Sequence, residues 1–160
     1  MCVATNREMW DNEKKHLEAT SNMLDELYVR PSALTPVWAF AGRILGGSTA
    51  LLGRKSAMAC TEAVETVIGE HYDEYVCADS QLEHLAHIQT KLESQGVGNK
   101  EELDDAFDLL RSVLVEFRDD ELEHLDTAVE HDAQQAPAHA LLSVIVGYGC
   151  KAAIEVAKRV

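Results

Sequence analysis

Residues 117–124 read Phe117-Arg-Asp-Asp-Glu121-Leu-Glu-His124, which places a glutamate and a histidine three residues apart. Steps of three and four residues through this pair give one helical stripe: Leu110, Leu114, Phe117, Glu121, His124 and Ala128. A glutamate and a histidine inside an apolar stripe lose hydration on folding, which is costly unless they are paired or bind a metal ion. The segment therefore predicts a long helix with an inward-facing Glu-x-x-His motif.

A second Glu-x-x-His motif begins at Glu13 and ends at His16. Its helical stripe has the same character and comprises Met9, Glu13, His16, Thr20, Met23 and Leu27. Two such pairs at matching depth can satisfy each other only around a cation, as in bundles that hold two metal ions. The alternative is a slightly rotated stripe, in which both pairs face solvent or form simple Glu–His hydrogen bonds.

A lone core carboxylate is predicted on a middle helix, whose stripe comprises Met58, Thr61, Glu65, Ile68, Tyr72 and Tyr75. Periodicity leaves Glu62, one turn before Glu65, as an equal candidate for the inward carboxylate. The other histidines lack a carboxylate stripe, so we predict that they lie at the surface or at helix ends: His84, His87, His131 and His139.

The composition favours one soluble all-α domain over residues 1–160. The chain is 46% hydrophobic and 26% charged, with nine Gly and three Pro. Its net charge of −14 disfavours a nucleic-acid partner, because a phosphate backbone would be repelled. The four cysteines form no C-x-x-C pair, which indicates reduced thiols: Cys2, Cys60, Cys77 and Cys150.

The pattern of apolar residues, Gly and Pro predicts helices over residues 6–29, 56–77, 80–92 and 99–131, and from Pro137 to the C-terminus. Asn99 is the predicted N-cap of the long helix, and a turn is predicted at residues 96–98. Pro36 and three glycines (Gly42, Gly46 and Gly47) are expected to break residues 32–52 into pieces.

Charge is unevenly distributed along the chain. Residues 73–108 carry ten acidic residues and two lysines, a net charge of −8, whereas residues 28–61 carry four basic residues and no acid. We therefore predict that residues 32–53 contact anionic lipid headgroups, with Trp38 and Leu45 reaching the membrane. A core helix flanked by ordinary surface bases remains the alternative. We expect neither a membrane-spanning segment nor a signal peptide.

The two Glu-x-x-His segments form an imperfect repeat. Each is followed by a proline and an apolar segment, at Pro31 and at Pro137. The second copy is preceded by a helix with a lone core carboxylate, and the first copy is not. The repeat therefore predicts one further carboxylate helix outside this sequence.

These segments resemble the ferritin-like di-iron monooxygenases that hydroxylate demethoxyubiquinone in ubiquinone biosynthesis. The likeness is carried by Met9-Trp-Asp-Asn-Glu-Lys-Lys-His16-Leu, by residues 117–124, and by residues 30–34, 47–55, 57–61, 63–65, 71–72, 130–133 and 136–138. The Asp-His-Ala-Gly-Glu motif with which that family opens does not occur in this sequence. The resemblance covers about nine-tenths of the chain.

The resemblance implies five iron ligands: Glu13, His16, Glu65, Glu121 and His124. It makes Glu13 and Glu121 bridging carboxylates, and it selects Glu65 over Glu62. It leaves His71 and Tyr72 as candidates for a supporting role near the irons or in electron transfer, with simple packing as the alternative.

The resemblance also implies a function and a location. Two iron ions would use O2 and electrons from NADH to hydroxylate the ring of a polyprenyl quinone. The protein would bind peripherally to the matrix side of the mitochondrial inner membrane, or to the cytoplasmic face of a bacterial membrane, with a lipid-binding partner protein. The alternative function is a non-catalytic truncated helical protein that binds quinone or a partner. Iron storage is disfavoured by the basic apolar segment.

Overall fold

The computed structural model describes residues 2–26, 30–77, 87, 90–96 and 100–159. Five long helices carry the described residues: α1 (Cys2–Glu26), α2 (Thr35–Leu51), α3 (Arg54–Cys77), α4 (Lys100–Glu130) and α5 (His139–Ala157). A 3-10 turn at Ala133–Gln135 precedes α5, and residues 90–94 are helical. These described ranges contain no strand, and the predicted all-α class is confirmed.

Helix α2 is continuous, so the predicted break of the segment at residues 32–52 is wrong. Pro36 lies in the first helical turn, where its missing N–H costs no helical hydrogen bond. Gly42, Gly46 and Gly47 continue the helix, because glycine lowers helix stability without preventing the helical conformation.

Helix α5 begins at His139, two residues later than predicted. Ala136 has an extended backbone, as expected for a residue that precedes a proline. Ala138 then adopts a left-handed conformation with φ of 56°. Pro137 therefore belongs to the connection and not to the first turn of the helix.

Several predictions concern residues that the structure does not describe. The Asn99 N-cap, His84 and most of the predicted helix at residues 80–92 are outside the described residues. Gly96 has a left-handed backbone with φ of 72°, which agrees with the predicted turn at that residue.

The described residues form two compact units. The first comprises residues 1–67 and 123–160, and its core joins α3 to α4 and α5 through small side chains. Met58 and Ala59 pack with Ala128, and Cys60 and Ala63 pack with Val146. Small residues at these contacts allow the helix backbones to approach closely. The prediction of one domain over residues 1–160 stays a prediction.

The second unit comprises residues 68–122 and joins the end of α3 to α4. Gly69 lies beside Leu122, whose Cδ2 is 3.7 Å from the position of a built Cβ. Arg118 approaches the carboxylate of Asp73 at 3.4 Å. These contacts pair the two helices within this unit.

Exposed apolar side chains cover parts of α2 and α5 in the first unit. On α2 they include Val37, Phe40 and Ile44. Trp38 is only partly exposed, and Leu45 is partly buried against the core, so their contact with a membrane stays a prediction. Residues of α2 appear apolar on every side in the sequence, which gave no means of choosing the exposed face.

Helix α5 presents a second apolar surface. Its exposed side chains are Leu141, Val144, Ile145, Tyr148 and Val156. By length and composition α5 could cross a membrane, with 19 residues and a mean hydropathy of 1.6, and only 6% of that stretch is buried. We predicted no membrane-spanning segment from the sequence, whereas α5 is long and apolar enough to be one. A single helix of this kind is weak evidence for a membrane span.

The basic edge of the apolar segment is partly neutralised in the structure. Arg54 and Lys55 approach the carboxylate of Asp132 at 3.4 and 3.6 Å. Their charges are therefore less available to lipid headgroups than the sequence suggested. Arg43, on α2 itself, is exposed.

Candidate metal centre

Three predicted ligands on three helices of the first unit come together. Glu13 on α1, Glu65 on α3 and His124 on α4 offer ligand atoms that lie within 4.8 Å of one another. Atoms that share one ion at about 2.0–2.2 Å are at most about 4.4 Å apart, so small side-chain movements would complete such a site. Each of the three residues lies on the stripe predicted for its helix, so helical periodicity identified the members of this group.

Glu121 lies on the same helix as His124. It lies three residues earlier on α4, a spacing that brings two side chains to the same face. Both side chains are buried, with 4% of Glu121 and 2% of His124 exposed. The Glu-x-x-His motif therefore has the inward orientation that its stripe predicted, and the alternative of a solvent-facing motif is wrong for α4.

Glu13 contacts both predicted histidine ligands. Its Oε1 lies 3.2 Å from Nδ1 of His124, and its Oε2 lies 4.0 Å from Nδ1 of His16. His16 is buried, whereas the side chain of Glu13 is 48% exposed. A carboxylate between two imidazoles suits the predicted bridging role, which stays a prediction, as does the five-residue ligand set.

Glu62 is engaged elsewhere. Its Oε2 lies 2.7 Å from Nε2 of His139, the first residue of α5, and both side chains are largely buried. The structure therefore places Glu65 with the metal group and Glu62 against α5. His139 lies at a helix end, as predicted, but its contact with Glu62 was not predicted, and no local sequence pattern could have revealed a contact between residues so distant in the chain.

The remaining histidines have ordinary local contacts. Nδ1 of His131 lies 2.8 Å from the carbonyl oxygen of Thr127 in the preceding turn, and the side chain is partly buried. His87 is exposed, as predicted.

His71 and Tyr72 lie on α3 in the second unit and have packing contacts there. Nδ1 of His71 is 3.7 Å from the carboxylate of Glu74. The Tyr72 ring packs edge to face against Phe117, with ring centroids 6.3 Å apart. These contacts agree with the packing alternative, and a supporting role for the two residues stays a prediction.

A cavity of about 320 Å³ adjoins the metal group in the first unit. Glu13, Glu65 and His124 form part of its wall, and Gly46 and Thr49 of α2 form another part. A molecule in this space would therefore lie beside the grouped ligand atoms. Met58 and Ala57 add apolar surface to the wall.

The thiols near this cavity are poor competitors for a metal ion. Burial raises the pKa of the Cys60 thiol, and a hydrogen bond with Thr49 opposes this effect. Burial also raises the pKa of Cys150. The grouped ligand atoms themselves are carboxylate oxygens and an imidazole nitrogen. This donor set suits iron in a carboxylate-rich two-metal site.

The sequence matches the family described as Ubiquinone biosynthesis protein COQ7 over residues 2–157. It is 42% identical to the mouse NADPH-dependent 3-demethoxyubiquinone 3-hydroxylase, mitochondrial, over 96% of this chain and 61% of that protein. The yeast (Saccharomyces cerevisiae) 5-demethoxyubiquinone hydroxylase, mitochondrial, is 40% identical over 96% of this chain and 62% of its own length.

A bacterial relative, the 3-demethoxyubiquinol 3-hydroxylase of Rhodospirillum rubrum, is 37% identical over 99% of this chain and 63% of its own length. The chain thus spans about three-fifths of the length of these curated relatives. The family match covers nearly all of its residues and includes every side chain of the metal group. This chain is a member of the COQ7 family of ubiquinone biosynthesis proteins, an all-helical ferritin-like di-iron family.

Proposed function

We propose that this protein is a di-iron monooxygenase that hydroxylates the ring of demethoxyubiquinone. The observation that carries the proposal is the group of Glu13, Glu65 and His124 beside a cavity, in a chain whose relatives are named demethoxyubiquinone hydroxylases. The full ligand set in this proposal is Glu13, His16, Glu65, Glu121 and His124. Two iron ions bound there would supply the activation of O2.

The protein's own residues position the reactants. The carboxylate of Glu13 lies near both imidazoles, 3.2 Å from Nδ1 of His124 and 4.0 Å from Nδ1 of His16, so the three side chains would face the same metal site. Met58 and Ala57 present apolar surface to a substrate ring. Glu13, Glu65 and His124 present polar groups to the same cavity and could orient the ring.

The electron donor in this proposal is a reduced nicotinamide cofactor. The resemblance implied NADH, whereas the mouse relative is named NADPH-dependent. NADH therefore stays a prediction. Oxygen consumption with NADH and with NADPH, each as sole reductant at equal concentration, distinguishes the two.

We also propose peripheral binding to a quinone-containing membrane. The exposed apolar side chains of α2 and α5 support this, because such surface is favourable against lipid. The named mitochondrial relatives support the matrix side of the inner membrane, and the bacterial relative supports a cell membrane alternative. A lipid-binding partner protein that presents the polyprenyl substrate completes the proposal. Membrane binding is tested by whether the protein co-purifies with membranes when the partner protein is present and when it is absent.

The function is tested by iron content and turnover in the same samples. We expect two irons per chain and O2-dependent hydroxylation of a demethoxyquinone, with both lost in Glu121→Ala. Glu116→Ala is the matched control, since Glu116 is an exposed residue of the same helix. Normal turnover by iron-free protein would refute the proposal. Quinone binding without turnover in the iron-loaded protein would favour the non-catalytic alternative.

A further inference from the structure

Gly46 of α2 lines the cavity beside the metal group, and as a glycine it contributes no side chain to the wall. We infer that this cavity receives the substrate ring and that Gly46 sets the width of the space available to it. The inference rests on the proposed function for the identity of the ligand, a substituted quinone or quinol ring. It adds the position of the ring and a residue that determines specificity.

The volume of the cavity decides how much of the substrate it can hold. Pockets for drug-sized ligands have volumes of about 300–1,000 Å³, and this cavity of about 320 Å³ lies at the lower limit. It can accept a ring with small substituents and cannot also hold a polyprenyl tail. The tail must therefore leave the cavity.

The α2 side is the exit that suits an apolar tail. Gly46 and Thr49 line the cavity from α2, and the same helix exposes Phe40 and Ile44. A tail that leaves beside Gly46 would pass around α2 to reach that apolar surface and the lipid that we propose it contacts. Glu13 and His124 also line the cavity, and their polarity disfavours an alkyl chain beside them.

Among the residues that the structure describes, nothing in the backbone or the packing requires glycine at position 46. It lies inside a helix, where glycine is less stable than alanine, and it has no left-handed backbone. A Cβ built on Gly46 meets no atom within 4 Å. A larger side chain at this position can therefore enter open space at the cavity wall without displacing the protein's own atoms.

Trp10 provides a binding signal in the same cavity. It lines the cavity from α1, and Trp38 is the only other tryptophan in the sequence. In a Trp38→Phe background, quenching of tryptophan fluorescence by a short-tailed demethoxyquinone reports occupation of the cavity. This readout needs no turnover, and iron content is measured separately on each variant.

The decisive variant is Gly46→Leu, and Gly47→Leu is its matched control. Gly47 is the next residue of α2, its built Cβ also meets nothing within 4 Å, and it does not line the cavity. Leucine favours helix, so both variants should keep the circular dichroism of the parent. Gly46→Ala tests the position with the smallest added volume.

We expect Gly46→Leu to weaken quinone binding by about tenfold or more, because pocket volume is discriminated at this scale, with unchanged iron content. Gly46→Ala should lie between parent and leucine variant, and Gly47→Leu should bind like the parent. Equal quinone affinity in Gly46→Leu and the parent would overturn the inference, whether or not the parent turns over. If Gly46→Leu loses iron or helicity, Gly46→Ala becomes the test, and an unchanged quinone affinity in Gly46→Ala would then overturn the inference. Failure of the parent to hydroxylate, with quenching intact, contradicts only the proposed function.

Discussion

The contact between Glu62 and His139 predicts a large coupling energy between α3 and α5. The two side chains approach at 2.7 Å and are only 14% and 26% exposed. A hydrogen bond to a charged group contributes about 1.5–3 kcal/mol, and exposure places this contact near the lower end. We therefore expect a coupling free energy of about 1.5 kcal/mol, which corresponds to about 3–6 °C in Tm for a chain of this size.

The assay is a double-mutant cycle measured by urea unfolding at neutral pH. The variants are Glu62→Ala, His139→Ala and the double variant. The pair of Glu155 and Lys158 provides a matched cycle, because it has a similar separation of 3.0 Å with side chains 57% and 43% exposed. An exposed pair of this kind should couple by about 0.3–0.5 kcal/mol. A Glu62–His139 coupling no larger than this would refute the reasoning.

The same variants test the assignment of the two α3 carboxylates. Glu62→Ala should lower the free energy of unfolding without reducing the iron content of the folded protein, because its carboxylate is engaged with α5. Glu65→Ala should reduce iron content, because its carboxylate lies within the metal group. If Glu62→Ala instead removed iron while Glu65→Ala retained it, the assignment of the two residues would have to be exchanged.

Three further outcomes are expected. Phe40→Asp or Ile44→Asp should reduce co-sedimentation with anionic vesicles, because each change loses about 2 kcal/mol of favourable apolar transfer. Leu17→Asp, at an exposed residue of α1, is the control and should not reduce it. Equal losses in all three variants would contradict membrane binding through α2. Ala138→Gly should raise the free energy of unfolding by about 0.5–1 kcal/mol in urea titrations, since φ is 56° there; a decrease would contradict this. The rate of alkylation of Cys150 should still rise with pH where the rate for a free cysteine is already constant, because burial raises the pKa of the Cys150 thiol. A rate that becomes constant at the same pH as for a free cysteine would contradict this.

Residue periodicity predicted the parts of the fold that depend on a single helix. Phe117, Glu121, His124 and Ala128 are buried together along α4, as their spacing indicated. The rule succeeds because polar surface on the opposite side of α4 defines the buried face without reference to other helices. The same logic placed His16 inward on α1.

Features that depend on the contact of distant segments were not predictable in this way. The His139 contact with Glu62 joins helices far apart in sequence and leaves no local pattern. In α2, apolar residues surround the helix, so periodicity could not show that Leu45 faces the core while Phe40 and Ile44 face outward. The resemblance to a known family separated Glu65 from Glu62, a choice that periodicity left open.

We expect the attachment of α1 to depend on the metal group more than on apolar packing. Among the described side chains of α1, only His16 is buried, and Leu17 and Trp10 are exposed. Glu13 connects this helix to His124, but it shares the group with Glu65, and two carboxylates so close repel each other. A divalent cation would offset that repulsion and link α1 to α3 and α4, and a ligand that binds only the folded state stabilises it. Iron removal should therefore loosen α1 before it affects the core that joins α3 to α5, because that core is held by apolar contacts independent of the metal.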